Sequence, residues 1–144
     1  MRIRISRINP SLPLPAYQTA GSVAFDLAIR EDAIIPPHTT VLVPANIIVE
    51  VPMGYTFLIT ARSSLHKRGL VLANGIGVFD EDYRGPNDEV RLALMNITDA
   101  PVSVTRGDRL AQGLFVPIAR AEWEEIRAEN ITATTRGGFG STGW

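Results

Sequence analysis

Apolar and polar residues alternate along much of this chain with the two-residue period of an extended strand. Arg2-Ile3-Arg4-Ile5 opens the pattern, and a strand is expected over residues 2–8. Pro10, Pro13 and Pro15 then impose an extended, irregular link, because each fixes φ and lacks an amide donor. Further strands are expected over residues 23–29, 39–43, 46–51 and 55–61, with 39–43 and 46–51 read as a pair folded around Pro44-Ala45. Ile34-Ile35-Pro36-Pro37 reads as a turn. Residues 63–68 are the helical candidate before the middle of the chain, one or two turns long. The strand pattern resumes at 71–72, 77–79, 89–96, 102–104 and 110–116. Residues 121–128 fit two readings, since Trp123 and Ile126 suit a helix face or a bulged final strand. Many short strands punctuated by 10 Pro and 12 Gly predict an all-β fold, a jelly-roll-like barrel forming one domain.

Composition narrows the partners more than the fold. A chain of 144 residues with 45% hydrophobic and 20% charged residues can bury a sizeable core. A net charge of −1 with no basic stripe argues against nucleic acid and anionic membrane surfaces as partners. The absence of cysteine excludes disulfides, thiolate zinc sites and cysteine nucleophiles, and fits a reducing, cytoplasmic setting. No signal-peptide core follows Met1, and no apolar run has the length of a membrane span. The two histidines, His38 and His66, lie far apart and suggest no metal cluster.

Candidate chemistry is concentrated at the end. The chain closes Thr134-Thr135-Arg136-Gly137-Gly138-Phe139-Gly140-Ser141-Thr142-Gly143-Trp144, a flexible, glycine-rich appendage. Glycine lets a backbone approach a ligand closely, Phe139 offers a flat apolar face, and Ser141 and Thr142 place hydroxyls beside bare amides. A base-stacking surface and a phosphate cradle thus share one short segment, although a disordered end would use much the same residues.

Four more segments precede it: Ala20-Gly21-Ser22-Val23-Ala24-Phe25-Asp26-Leu27, Ala61-Arg62-Ser63-Ser64-Leu65, Asn74 to Gly85, and Arg106-Gly107-Asp108-Arg109-Leu110-Ala111-Gln112. In the third, Asp80-Glu81-Asp82 sets three carboxylates beside a glycine-rich strand, either an inert acidic turn or the seat of a general base. Arg62 with Ser63 and Ser64 reads as a surface cation with an N-cap, or as an anion site. Arg106 to Arg109 reads as a tight turn with Asp108 and Arg109 as a structural ion pair, and His66, Lys67 and Arg68 as mainly solvated. Asp26, between Phe25 and Leu27, points to the opposite side of its strand from both.

Taken in order, the five segments resemble the five motifs of the trimeric dUTPases, across nearly the whole chain. The resemblance implies the β-clip barrel of that family over residues 1–128, with residues 129–144 as a tail closing over the active site. It implies hydrolysis of dUTP to dUMP and pyrophosphate, which limits uracil in DNA and supplies dUMP for thymidylate synthesis. By the same resemblance Asp80 aims water at the α-phosphorus, with Gln112 beside it. Tyr83 packs on the deoxyribose, and Asn74, Gly75 and Gly77 line a hairpin pocket for uracil. Arg62, Ser63, Ser64 and Arg136 meet phosphates. Phe139 stacks on the base, with Gly140, Ser141 and Thr142 near the γ-phosphate. Magnesium is implied as cofactor, held by phosphates and water, with no direct protein ligand and Asp26 acting through water or tethering the tail. The implied assembly is a homotrimer whose active sites draw on neighbouring subunits.

The chain departs from the family pattern in three places, the slightest being Phe25 before Asp26, where Tyr is common. Pro86-Asn87-Asp88 intervenes between Arg84-Gly85 and Glu89, and Arg136 stands unusually near Phe139. A dCTP deaminase of the same fold and a non-catalytic nucleotide-binding relative are the alternative readings; the glycine-rich Phe tail and the Asp80 segment favour dUTP hydrolysis over both.

Overall fold

A computed structural model describes residues 1–135, 137 and 138. The described chain forms eleven short strands: β1 (Ile5–Arg7), β2 (Phe25–Ala28), β3 (Ala33–Ile35), β4 (Thr40–Pro44), β5 (Ile47–Val49), β6 (Tyr55–Ala61), β7 (Leu70–Leu72), β8 (Gly77–Phe79), β9 (Arg91–Asn96), β10 (Val102–Val104) and β11 (Arg109–Pro117). They make four antiparallel sheets, ordered β2-β11-β6-β8, β4-β9-β7, β1-β5 and β3-β10. The architecture is the expected all-β, jelly-roll-like one.

Alternation works as the sequence predicts in β2 and β6. Phe25 and Leu27 turn inward while Asp26 does not, and Phe57 and Ile59 join them in the core. Phe57 is fully buried and lies at the centre of an aromatic cluster, with ring centroids 5.8 Å from Phe25, 5.1 Å from Phe115 and 5.6 Å from Phe79. Gly113 makes room for it: a Cβ there would come within 2.6 Å of Phe57 Cζ.

Four local expectations are corrected. Residues 39–43 and 46–51 do not pair with each other; β4 pairs with β9, and β5 with β1. Asn46 explains the divergence. It adopts φ +66°, unusual for a non-glycine residue, and its side chain bonds both the N–H and the C=O of Asn9. The chain therefore swings from one sheet to another at this corner. Second, Ile34-Ile35 is not a turn but part of β3, paired with β10, and the prolines after it end the strand. Third, the helical candidate is a 3-10 turn, Leu65–Arg68, closed by Gly69 at φ +70°. Residues 121–128 form neither a helix nor a strand up to a second 3-10 turn at Ala128–Asn130. Every described residue from 117 to 135 is exposed, so the core ends within β11.

Candidate active site

One group of candidate residues gathers where β2, β11 and β6 lie side by side. Gln112 faces Asp26 across one strand pair and Thr60 across the other, so the three form a row on the outward face of the sheet. The Asp26 side chain is only 9% exposed, and each of its carboxylate oxygens is engaged: Oδ1 by Arg62 Nε at 2.9 Å, Oδ2 by Arg109 Nη1 at 3.0 Å. Arg62 also donates from Nη1 to the carbonyl of Arg109 at 3.1 Å, and Gln112 Nε2 donates to the carbonyl of Ala61 at 3.2 Å. Asp26 is thus the holder of two guanidinium groups.

Beside this row lies a polar cleft of about 300 Å³, lined by Arg62, Ser64, Arg68, Asp108 and Arg109 among others. Ser63 and Ser64 are exposed, and Ser64 makes no side-chain cap bond. Arg68 donates to Asp108 Oδ2 at 2.7 Å and to the Ser103 carbonyl at 3.0 Å. The expected Asp108–Arg109 pair is therefore replaced by Arg68–Asp108 and Arg109–Asp26, and Arg68 is not simply solvated. The turn itself is as expected, with Gly107 at φ +90° and the Asp108 N–H on the Thr105 carbonyl at 2.8 Å. Burial pushes the Asp108 carboxyl up, but the Thr105 N–H and the Arg68 guanidinium outweigh it and hold it below the ordinary aspartate range. Three arginines against two aspartates leave an excess positive charge at the cleft, suited to an anion.

The second group follows β8. Asp80 is exposed, and among the described residues its carboxylate makes no ion pair or hydrogen bond. Its neighbour Glu81 is paired with Arg120 at 2.5 Å. Asp80 and Tyr83 bracket one turn: the Tyr83 N–H reaches the Asp80 carbonyl at 3.3 Å. The Tyr83 ring stands edge-on to Phe79, 5.6 Å between centroids, and its hydroxyl donates to the Glu89 carbonyl at 3.2 Å. Tyr83 keeps 39% of its surface exposed, as a residue that meets a ligand requires and a core aromatic does not.

Before β8, Asn74 and Gly75 form an exposed turn in which Gly75 (φ +67°) donates to the Leu72 carbonyl at 3.0 Å. Gly77 is buried against Ile59 and Phe79. The hairpin expected here is a corner instead: β7 belongs to the sheet of β9, and β8 to that of β6. Arg136, Phe139, Gly140, Ser141 and Thr142 lie outside the described residues.

The two groups stand at different levels of the sheet. Phe79 pairs with Phe57, which sets Asp80 near Thr56, whereas Gln112 pairs with Thr60 and Arg62 lies beyond it. At about 3.3 Å per residue, these levels are about 13–20 Å apart along β6.

Three participants escaped the sequence reading. Arg109 and Arg68 complete the guanidinium cluster, and Arg30 pairs with buried Glu89 behind Tyr83. All act through partners remote in sequence, and local patterning carries no trace of such pairs. The one available hint was Glu89, a carboxylate directly preceding an apolar strand.

Comparison with known proteins identifies the family. The sequence profile of the dUTPase family matches residues 11–143. A deoxyuridine 5'-triphosphate nucleotidohydrolase of Helicobacter pylori (strain Shi470) is 39% identical over 144 residues, covering 99% of this chain and 97% of the relative. Its counterpart in Brucella melitensis biotype 2 is 43% identical over 137 residues, covering 92% and 85%. The crystal structure of a Streptococcus mutans dUTPase superposes with TM-score 0.76 at 31% identity, over 83% of this chain and 98% of that one. The dUTPase of Staphylococcus bacteriophage 80alpha, solved as a G164S mutant with dUpNHpp, shares the fold with TM-score 0.85 at 19% identity, over 99% of each chain. By profile, sequence and fold alike, the chain belongs to the dUTPase family of hydrolases.

Proposed function

We propose that this chain cleaves dUTP to dUMP and pyrophosphate by attack of water at the α-phosphorus. Asp80 accepts a proton from the water as its oxygen bonds to phosphorus. The bond to the bridging oxygen breaks, and pyrophosphate leaves. The observation that carries this reading is the carboxylate of Asp80, exposed and unengaged among the described residues, on the same turn as Tyr83. A general base must reach its water, and a carboxylate tied to an arginine would be a weaker one. Tyr83 lies against the sugar, where its ring occupies the space a 2'-hydroxyl would need. Asn74, Gly75 and Gly77 receive uracil through backbone groups, and mismatched donors would be left unpaired by cytosine.

Arg62, Ser63, Ser64 and Gln112 meet the phosphates, with Arg109 beside them. Because Asp26 already holds Arg62 and Arg109 in place, their guanidinium groups are preorganised for developing charge on the leaving pyrophosphate. Magnesium fits as a cofactor carried by the substrate. Asp26 has both oxygens engaged by arginine, and among the described residues no three His, Cys, Asp or Glu are grouped to hold a metal. Phosphate oxygens and water are the ligands a hard, strongly hydrated cation prefers. Once bound, it supplies charge neutralisation on the triphosphate.

The active site is shared in a homotrimer. About 13–20 Å along β6 separate Asp80 from the Gln112–Arg62 end, so Asp80 of one subunit works with Gln112 and Arg62 of another. The outward face of the same sheet supports assembly, because Leu58, Leu114, Val116 and Val78 leave apolar surface partly or largely exposed there. The barrel of residues 1–128 carries the pocket, and 129–144 close over it, with Arg136, Phe139, Gly140, Ser141 and Thr142 in the roles the family implies.

The test is product analysis with magnesium and a panel of deoxynucleotides. Pyrophosphate and dUMP from dUTP, with labelled solvent oxygen in dUMP, are expected. Ammonia from dCTP would point to the deaminase instead, and binding without turnover to a regulatory relative. Asp80→Asn is expected to abolish turnover while leaving dUTP binding intact in calorimetry. Near-normal turnover would remove Asp80 as the base.

A further inference from the structure

Glu89 is the most heavily engaged carboxylate among the described residues, and the mechanism above does not use it. It is 7% exposed and accepts a two-pronged contact from Arg30, with Nε to Oε1 at 2.9 Å and Nη2 to Oε2 at 3.1 Å. Oε1 also accepts the N–H of Asn46 at 2.9 Å. The backbone around it is fixed from the same side: Ala45 N–H donates to the Val90 carbonyl at 2.8 Å, and Val90 N–H to the Ile47 carbonyl at 2.9 Å. Arg30 is itself anchored by its N–H on the Pro44 carbonyl at 2.8 Å.

What this clamp holds is the Glu89 carbonyl, the acceptor for the Tyr83 hydroxyl at 3.2 Å. Between them the hydrogen bonds of the loop Pro86-Asn87-Asp88 among the described residues close it on itself, by Gly85 N–H on Asp88 Oδ2 at 2.6 Å and Asp88 N–H on the Gly85 carbonyl at 3.1 Å. We propose that the Arg30–Glu89 ion pair is a positioning device for the Asp80–Tyr83 turn, fixing the Tyr83 ring through its hydroxyl and so setting the choice of deoxyribose over ribose. The inference rests on the proposed function for the role of Tyr83, but not for the coupling between the clamp and the turn.

The physics favours a rigid fork here. Arginine presents two parallel donors in one plane, so it fixes the orientation of a carboxylate as well as its position. Lysine keeps the charge and loses the fork. Breaking the fork while keeping the charge therefore tests position without leaving Glu89 buried and unpaired.

The experiment uses the full-length chain as wild type, Arg30→Lys, Tyr83→Phe and the double variant. Amide hydrogen exchange is read at Tyr83 and, as a core reference, at Leu94. The ratio of kcat/KM for dUTP to that for UTP is read in parallel. In Arg30→Lys, exchange at Tyr83 is expected to quicken about tenfold, the worth of one hydrogen bond, with Leu94 unchanged. The dUTP preference is expected to fall by about the same factor in each single variant. In the Tyr83→Phe background, Arg30→Lys should then cost nothing further, because the connection it acts through is already gone. Equal quickening at Leu94 would mark a purely structural clamp, and an unmoved Tyr83 amide or additive losses would overturn the proposal. If the wild type does not hydrolyse dUTP, the functional reading falls while the exchange measurement still decides this one.

Discussion

Single residues here are explained by what fills the space around them. Gly113 sits in β11 between the rings of Phe25 and Phe57, and a Cβ would clash with Phe57 and come within 3.1 Å of Phe25 Cε2. Phe57 is fully buried and cannot move aside without disturbing Phe115 and Phe79. Gly113→Ala is therefore expected to destabilise the fold by about 1–3 kcal/mol, as overpacking does, measured by denaturant unfolding. Asp26 shows how far a sequence reaches at this scale. Alternation with Phe25 and Leu27 made its outward orientation legible, because period two is a local property. Its two arginine partners were not legible, since Arg109 is 83 residues away and only the fold brings it near. Removing the charge while keeping the shape, Asp26→Asn, should release both guanidinium groups from their fixed pose. A raised KM for dUTP with a smaller change in kcat is expected from steady-state kinetics. Unchanged KM would show that the arginines are held by other means.

At the scale of elements, strands were readable and their partners were not. The alternation over 55–61 matches β6 residue for residue, and 77–79 and 102–104 match β8 and β10. Adjacency in sequence misled at 39–51, because Asn46 in a left-handed conformation turns the chain out of its sheet rather than back along it. Proximity misled again at the turn before β11. Asp108 follows Thr105 closely enough to accept its N–H at 2.9 Å, but its charge partner is Arg68, from the 3-10 turn. This contact ties two elements together and has a pH signature. The Asp108 carboxyl is held below its ordinary range in the folded state. In acid, the unfolded chain therefore takes up this proton before the folded one does, and stability falls as pH drops. The contribution is complete above the ordinary aspartate pKa and lost as pH descends through the lower folded value. Asp108→Asn should flatten the acid limb of a stability–pH curve and lower stability at neutral pH. An acid limb of unchanged slope would show that other carboxylates dominate it.

At the scale of the molecule, the chain divides into a core that ends within β11 and a segment with no described share in it. Removing residues 137–144 is thus expected to leave the thermal unfolding midpoint within about 2 °C of the full chain, since the core formed by the described residues ends within β11. Turnover of dUTP should fall at least about a hundredfold if these residues close over the substrate as proposed, because closure would order the substrate and exclude bulk water. The separation along β6 makes a sharper test possible. A chain carrying Asp80→Asn keeps its tail, and the truncated chain keeps Asp80. If every subunit built its own active site, no mixture of the two could contain a complete one. In a shared site, a mixed trimer can combine Asp80 from a truncated subunit with the tail of an Asp80→Asn subunit. Refolding the two inactive chains together should therefore restore turnover that neither shows alone, rising and falling with the mixing ratio. Silence at every ratio, with mixed trimers verified by mass, would mean that Asp80 and residues 137–144 serve the same subunit.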